Sequence, residues 1–211
     1  MSKDLLNPEK ALIFRIVHKD NINQVLQKGC YCKNAMAGKA AYVEIGNQEL
    51  IQRRTQRVVP CVPGGTLSDY VPFYFTPYTP MLYNIKTGRG VPQKPIEDIV
   101  ILVSSLRRLQ EQNISFVFSD RHAYLKTAQF SNDLNDLEWI IWPVLQARDF
   151  KRDDLDKFEK YQAEALVHRH VPVGSLKGVV CYNSEIRDYV KRLAEQHGAT
   201  VDIIAKKCWF L

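Results

Sequence analysis

The chain has 211 residues, of which 45% are hydrophobic and 25% are charged, and its formal net charge is +6. This composition is typical of one compact domain and excludes collagen, low-complexity disorder and coiled coil. No apolar stretch approaches the roughly 20 residues that a membrane-spanning helix needs, and the first residues lack the apolar core of a secretory signal, so we expect a soluble, cytoplasmic protein.

The first predicted elements are a strand and a short helix. Residues 11–17 form an apolar, β-rich run, and apolar residues then recur at helical spacing in 22–26 until Gly29 ends the pattern. Asp20 is the expected N-cap of this helix, because its carboxylate can accept hydrogen bonds from the free amides of the first turn.

A polar helix is predicted next, at about 47–56, and the prolines and glycines of 60–65 then predict a loop. The stretch 70–75 is typical of a strand, and Pro72 predicts either that this strand lies at a sheet edge or that the proline is among its first residues. The nearly continuous apolar run at 99–103 predicts a central strand.

The second half of the chain mixes short helices and strands in the same way. The predicted elements are, in order, a helix at 104–112, a strand at 114–118, short charge-dense helical segments to about 161, a strand at 178–182, a helix at 186–194 and a strand at 201–205. The order lacks the steady βαβ rhythm of a doubly wound sheet. We therefore predict a single α+β domain with mainly antiparallel strands.

Basic charge is concentrated between Leu50 and Lys94, where six basic residues face one acidic residue, Asp69. The same segment holds six aromatic residues within 70–83. Phosphate attraction combined with base stacking is how proteins hold single-stranded nucleic acid. The alternative is a solvated basic helix followed by a buried aromatic strand. Composition alone leaves both interpretations open.

Five cysteines stand at irregular spacing: Cys30, Cys32, Cys61, Cys181 and Cys208. Their number is odd, and the first two are closer together than the cysteines of the usual CxxC metal-binding pair. We expect neither a disulfide framework nor a structural zinc site.

Three polar residues lie in apolar or strand-like surroundings: Arg15, His18 and Glu164. A charge within a buried sheet needs a partner or a function. Taken alone, Glu164 is also typical of a surface glutamate at a helix end, and His18 of a hydrogen-bonded structural histidine.

Five sequence blocks occur in the order found in one family. The most specific is GGTLSDYVPFYF at 64–75, and the others are RIVHKDNI, IQRR, FVFSDRH and QAEALV, beginning at Arg15, Ile51, Phe116 and Gln162. Over most of its length the chain resembles the DarT family of DNA ADP-ribosyltransferase toxins.

The resemblance implies an ADP-ribosyltransferase-like fold, in which two small, mainly antiparallel sheets form a cleft for NAD and helices surround them. Backbone groups of Arg15, Ile16 and Val17 would bind the nicotinamide amide. Gln24 and Cys32 would contact the rest of the dinucleotide. No metal is expected to take part.

The resemblance also implies the catalytic groups. Glu164 would stabilise the positive charge that develops on the ribose, and Arg54, which also borders NAD, would polarise the carbonyl beside the attacking ring nitrogen. His122 would help to position the base. A helical element at about 36–56 would cover NAD, and 122–164 would form the substrate-recognition loop.

Six residues are predicted to bind DNA: Arg53, Arg57, Tyr74, Tyr78, Lys86 and Arg89. The cations would neutralise phosphates, and the tyrosine rings would stack on bases. Family members often carry Arg-Ser where this chain has Tyr78-Thr79, and a tyrosine can stack on a base but cannot pair with phosphate as arginine does.

The function implied by the resemblance is that of a toxin that transfers ADP-ribose from NAD to a base of single-stranded DNA, thymidine rather than guanosine, and so blocks replication. Its partners would be single-stranded DNA and a macrodomain-type antitoxin resembling DarG, without any membrane. The alternatives are the same fold acting on guanosine, RNA or protein, and a catalytically silent nucleic-acid-binding module.

Overall fold

The computed structural model describes residues 5–35 and 42–210. Its strands are β1 (Leu12–His18), β2 (Cys30–Tyr31), β3 (Tyr70–Tyr74), β4 (Ile99–Ser105), β5 (Phe116–Ser119), β6 (Phe130–Ser131), β7 (Glu164–His168), β8 (His170–Val171), β9 (Gly178–Cys181) and β10 (Asp202–Ala205). Its helices are α1 (Ile22–Lys28), α2 (Gln48–Arg54), α3 (Pro80–Thr87), α4 (Leu106–Glu111), α5 (Trp142–Ala147), α6 (Leu155–Tyr161) and α7 (Ser184–His197).

One large sheet organises the described residues, with strand order β10-β9-β4-β1-β3-β7-β5-β6, and β2 pairs separately with β8. Neighbouring strands are antiparallel throughout, except for β9 and β10, which run parallel and are connected by α7. The predicted α+β class with mainly antiparallel strands is confirmed. No helix in the described ranges combines the length and apolar character needed to cross a bilayer.

The hydrophobic run at 99–103 forms the buried centre of this sheet. Every residue of β4 is buried, and the strand lies between β1 and β9 as a central strand should. On β1 only Arg15 is partly exposed, while the other six residues are buried. The periodic residues of 186–194 form the buried side of α7, which Gly198 ends in the left-handed conformation, as predicted.

The large sheet is almost divided between β1 and β3. These strands pair at one position, Phe14 with Tyr74, whereas β1 and β4 pair along seven. Beyond that pair the ladder ends, leaving a gap lined by residues 15–17 of β1 and by Tyr70 and Pro72 of β3. The expectation of two small sheets is therefore corrected: one continuous sheet consists of two four-stranded halves joined at a single residue pair.

Pro72 lies on the side of β3 that faces this gap. Its carbonyl accepts a hydrogen bond of 2.8 Å from Nη1 of Arg15. The nitrogen and the carbonyl of one residue in an extended strand point to the same side, so the missing N–H of Pro72 costs the ladder with β7 nothing. The prediction of an edge strand is wrong for β3 as a whole, because β3 lies between β1 and β7, but Pro72 occupies a locally unpaired edge.

The predicted N-cap of α1 is also corrected. Asp20 lies in a 3₁₀ turn at 19–21, and Asn21 occupies the cap position without a capping side-chain bond. Instead, Asn21 hydrogen-bonds both backbone groups of Val43, donating to its carbonyl at 2.9 Å and accepting from its N–H at 2.8 Å. The amide of Asn21 thus fastens a distant loop to the start of α1.

Gly29 gives the first stability prediction. It ends α1 with φ +79°, and a Cβ there would lie 2.2 Å from the carbonyl oxygen of Val171 and 2.7 Å from Nε2 of His170. Replacing Gly29 with alanine should therefore lower the free energy of unfolding by about 2 kcal/mol or more, as measured by urea denaturation.

Gly198 provides the matched control. Its φ is +62°, but no atom lies within 4 Å of the Cβ position, so Gly198→Ala carries backbone strain alone, about 1 kcal/mol. Equal losses from the two alanine variants would contradict the close approach of α1 to β8.

Candidate active site

The separation of β1 from β3 opens a cleft of about 300 Å³. Nine of the residues singled out in the sequence line it: Arg15, Ile16, Val17, Gln24, Cys32, Arg54, Tyr74, His122 and Glu164. All three predicted catalytic residues and all the predicted NAD-contacting residues are thus brought together. Five of the predicted DNA-contacting residues, Arg53, Arg57, Tyr78, Lys86 and Arg89, are not among its lining residues.

Glu164 is the buried acid of the cleft. It is the first residue of β7, opposite Tyr74 of β3, and is only 2% exposed. Its Oε1 accepts a hydrogen bond of 3.0 Å from the backbone N–H of Ala123. A carboxylate so far from water needs such donors and a countercharge, which excludes the interpretation of Glu164 as a surface residue.

Arg54 supplies the countercharge from the last turn of α2. Its Nη1 lies 3.0 Å from Oε2 and 3.2 Å from Oε1 of Glu164, and its side chain is 12% exposed. Its Nη2 is buried and has no hydrogen-bond partner among the described residues. Because a buried unpaired donor is costly, this atom is a ready contact for a ligand in the cleft.

His122 lies beside the same carboxylate, with Nδ1 3.4 Å from Oε1 of Glu164. Nδ1 accepts a hydrogen bond of 3.2 Å from the N–H of Tyr124, so the hydrogen-bond network assigns the ring proton to Nε2. Burial lowers the pKa of His122; the charge of Glu164 opposes this effect and that of Arg54 adds to it. The ring is therefore neutral at pH 7.

Arg15 of β1 is the second arginine of the cleft. Its Nη1 reaches across the gap to Pro72, as described above, while its Nε is buried without a hydrogen-bond partner among the described residues. Tyr42 hydrogen-bonds Arg15 as well, and burial raises the pKa of Tyr42 despite the nearby guanidinium. The cleft thus holds two arginines that each keep one buried donor unused.

The exposed basic residues lie outside the cleft. Arg53 follows Arg54 by about 100° around α2, is exposed and forms an ion pair with Glu49. Lys86 and Arg89 are exposed at the end of α3. Their predicted contacts with phosphate stay predictions.

The aromatic segment is mostly core, as the alternative interpretation held. Tyr78 is 1% exposed, and the guanidinium of Arg148 lies 3.7 Å from the centre of its ring. The prediction that Tyr78 stacks on a base is therefore wrong for this conformation, because its ring is covered. Tyr74 alone among the predicted DNA contacts lines the cleft, and its hydroxyl contacts the sulfur of Met81 at 3.8 Å.

Arg57 is also engaged within the protein. Its Nη2 donates to the carbonyl of Leu125 at 2.8 Å and its Nε to that of Ala123 at 3.4 Å. The guanidinium lies 5.8 Å from the ring centre of Phe130. The guanidinium of Arg57 is therefore directed towards the turn that follows β5.

Two predicted segments take a more definite form in the structure. Of the segment 36–56, residues 36–41 lie outside the described residues, and 42–56 contains an extended stretch followed by α2. The segment 122–164 includes β6, α5 and α6, and Trp142 and Tyr161 anchor it in the core. It is a packed region rather than a plain loop.

Two important groups escaped the sequence analysis. The N–H that Ala123 gives to Glu164 belongs to the backbone, so the residue type carries no signal of it. Asn21 holds Val43 at the cleft wall, and the only available signal was an amide between a strand and a helix. Within the described ranges, no three His, Cys, Asp or Glu side chains converge as metal ligands would.

Comparisons with known proteins place the chain among DNA ADP-ribosyltransferases. A family model described as "ssDNA thymidine ADP-ribosyltransferase, DarT" matches residues 14–211. A DNA ADP-ribosyl transferase of Escherichia coli O127:H6 (strain E2348/69 / EPEC) is 48% identical over 208 residues, covering 97% of this chain and 95% of that protein.

Two solved structures of the Thermus sp. 2.9 DarT have the same fold. The complex with ADP-ribosylated ssDNA gives a TM-score of 0.89 at 33% identity and covers 97% of this chain and 98% of that chain. The complex with NAD+ gives a TM-score of 0.85 at 32% identity and covers 97% and 99%.

The environment of His122 predicts a pH dependence. Since its folded-state pKa lies below the ordinary value of about 6.5, the unfolded chain binds the proton first as the pH falls. The free energy of unfolding should therefore decrease from about pH 6.5 down to the lowered pKa. NMR titration of the histidine rings, with His122→Gln to assign the signal, measures this midpoint; a value at or above 6.5 would contradict the burial described here.

Proposed function

The chain belongs to the DarT family of ssDNA thymidine ADP-ribosyltransferases, and we propose that Glu164, Arg54 and His122 carry out the family reaction within the cleft. The protein is an NAD-dependent DNA ADP-ribosyltransferase. NAD supplies the ADP-ribose: the bond between ribose and nicotinamide breaks, a bond to a ring nitrogen of the base forms, and that nitrogen loses its proton. The buried pair of Glu164 and Arg54 is the observation that carries the assignment.

The cleft suits an anionic dinucleotide. Arg15 and Arg54 are both positively charged, the second being paired with Glu164, and each has a buried donor without a partner among the described residues. Residues 15–17 of β1 have no ladder partner on the β3 side, so those of their backbone groups that point away from β4 are free to bind an amide such as that of nicotinamide. Gln24 and Cys32 line the same cleft, as expected for contacts to the rest of NAD.

Glu164 stabilises positive charge on the ribose. Oε1 of Glu164 already receives the N–H of Ala123, whereas Oε2 receives one contact, from Arg54, among the described residues. A carboxylate oxygen can accept two hydrogen bonds, so Oε2 has room for a ribose hydroxyl. In this water-poor cleft the fixed negative charge favours the transition state, in which the ribose becomes positive.

Arg54 acts on the base. Its unused Nη2 can donate to the carbonyl beside the attacking nitrogen, which makes the nitrogen easier to deprotonate. Arginine holds its own proton too firmly to serve as the base, so the proton passes to Glu164 or to solvent. The neutral His122 presents Nε2–H as a further donor for positioning the base.

The surrounding segments hold the substrates. Residues 42–56 border the cleft through the loop held by Asn21 and through α2, consistent with a cover over NAD. The packed region 122–164 carries His122 at one end and Glu164 at the other, consistent with substrate recognition. Arg53, Lys86 and Arg89 are the exposed cations proposed to bind phosphates of single-stranded DNA.

The cellular role follows from the family resemblance. The protein acts in the cytoplasm, where NAD and DNA are both present, as a toxin that blocks replication by modifying thymidine. A macrodomain-type antitoxin that removes ADP-ribose from DNA is its proposed partner. Mass spectrometry of a defined thymidine-containing single strand after incubation with NAD tests the activity directly: addition of one ADP-ribose to thymidine supports it, and unmodified DNA contradicts it.

Replacing Glu164 with glutamine tests the acid. The amide keeps the shape of the side chain but loses the charge that the transition state needs, so transfer should fall by about 10²–10³-fold. NAD binding, measured by calorimetry, should change little, since the lost interaction is strongest in the transition state. A fully active Glu164→Gln variant would exclude this mechanism.

Arg54→Lys separates the two roles of the arginine. Lysine keeps a countercharge for Glu164 but removes the planar fork and its unused Nη2 donor, so turnover should fall about 100-fold with a small loss of stability. In Arg53→Ala, one residue away, turnover at saturating DNA should persist. The slope of log DNA affinity against log salt concentration should become shallower by about one. Similar losses of turnover in both variants would mean that the helix face is wrongly assigned.

A further inference from the structure

Arg57 connects two parts of the protein that meet at Glu164. It follows Arg54 by one turn, and its backbone N–H donates to the carbonyl of Arg54 at 3.3 Å, while its own carbonyl accepts the N–H of Leu67 at 2.9 Å. Its side chain then leaves this segment and reaches the carbonyls of Ala123 and Leu125 in the turn after β5, as described above. One short segment therefore supplies the ion-pair partner of Glu164 and a second arginine that holds the neighbouring turn.

The peptide unit between Ala123 and Tyr124 is held at both of its polar atoms. Its carbonyl oxygen accepts from Nε of Arg57, and its N–H donates to Nδ1 of His122. This second hydrogen bond is the one that places the proton of His122 on Nε2. A rotation of this peptide would remove the N–H that donates to Nδ1, so the ring proton would no longer be confined to Nε2.

The preceding peptide unit of the same turn, between His122 and Ala123, donates a hydrogen bond to Glu164. The N–H of Ala123 donates to Oε1, and Ala123 itself is completely buried. The neighbouring N–H, that of His122, donates to the carbonyl of Glu159 in α6 at 3.1 Å. The turn is thus fastened to α6 by one bond and to the segment after α2 by Arg57.

We propose that Arg57 is a positioning residue for the reaction: by holding the carbonyls of Ala123 and Leu125, it fixes the turn that donates to Glu164 and sets the tautomer of His122. The inference rests on the proposed function of these two residues. Arg57 touches neither NAD nor base in this role, and its effect on chemistry passes through the turn. The role differs from the phosphate contact predicted for Arg57 from the sequence, since it uses donors that point into the protein.

The test compares three substitutions in the full chain. Arg57→Ala removes both contacts with the turn. Arg57→Lys leaves a single ammonium group, which can reach one of the two carbonyls. Arg107→Ala is the matched control, because Arg107 also donates to two backbone carbonyls, those of Glu9 at 2.5 Å and Pro8 at 3.0 Å, and lies outside the cleft lining.

Kinetics with NAD and a thymidine-containing single strand give the first readout. In Arg57→Ala, kcat should fall about tenfold or more, because small displacements of catalytic groups are costly, while KM for NAD stays within about twofold. Arg57→Lys should recover part of kcat, and Arg107→Ala should keep the wild-type value. The proposal would be overturned in favour of a phosphate contact if kcat were unchanged in Arg57→Ala while the slope of log DNA affinity against log salt concentration became shallower by about one.

The ¹⁵N NMR spectrum of the His122 ring gives the second readout, which does not require activity. The wild type should show the Nε2–H tautomer, Arg57→Ala a mixture of tautomers, and Arg107→Ala the wild-type pattern. An unaltered tautomer in Arg57→Ala overturns the positioning role whatever the kinetics show. If the wild-type protein modifies no DNA, the proposed function fails, and the NMR comparison still decides whether Arg57 controls the turn.

Discussion

The site depends on the need to keep one carboxylate charged where water is scarce. Glu164 is 2% exposed, so burying its charge would destabilise the fold without the guanidinium of Arg54 and the N–H of Ala123. These donors come from α2 and from the turn after β5, while the acid stands at the start of β7. Three distant parts of the chain must therefore converge for the acid to be tolerated, and the same convergence makes it useful for chemistry.

The cleft itself results from an incomplete strand pairing. A continuous ladder between β1 and β3 would fill the space that a dinucleotide needs. The single pair of Phe14 and Tyr74 joins the halves, Pro72 removes a donor that would face the gap, and Arg15 spans it. Backbone groups on the gap side of β1 therefore remain available to hydrogen-bond a ligand, which is unusual for a strand in the interior of a sheet.

Much of the fold was predictable because its signals are local. The apolar run at 99–103 and the periodic residues of α7 gave the correct elements, and Gly198 marked the correct helix end. The roles proposed for Glu164 and Arg54 came from family resemblance, since nothing local to either residue reveals a contact between positions 54 and 164. Tyr78 failed because an aromatic residue in a basic segment has the same sequence signal whether it stacks on a base or packs in the core.

The single ladder pair between the two halves also has a mechanical consequence. Past that pair, a hydrogen bond from Arg15 of β1 to the carbonyl of Pro72 in β3 spans the gap. Widening the gap breaks this polar contact but leaves the β ladders on both sides whole. An entering anion therefore competes for the same guanidinium group of Arg15 that links the two walls.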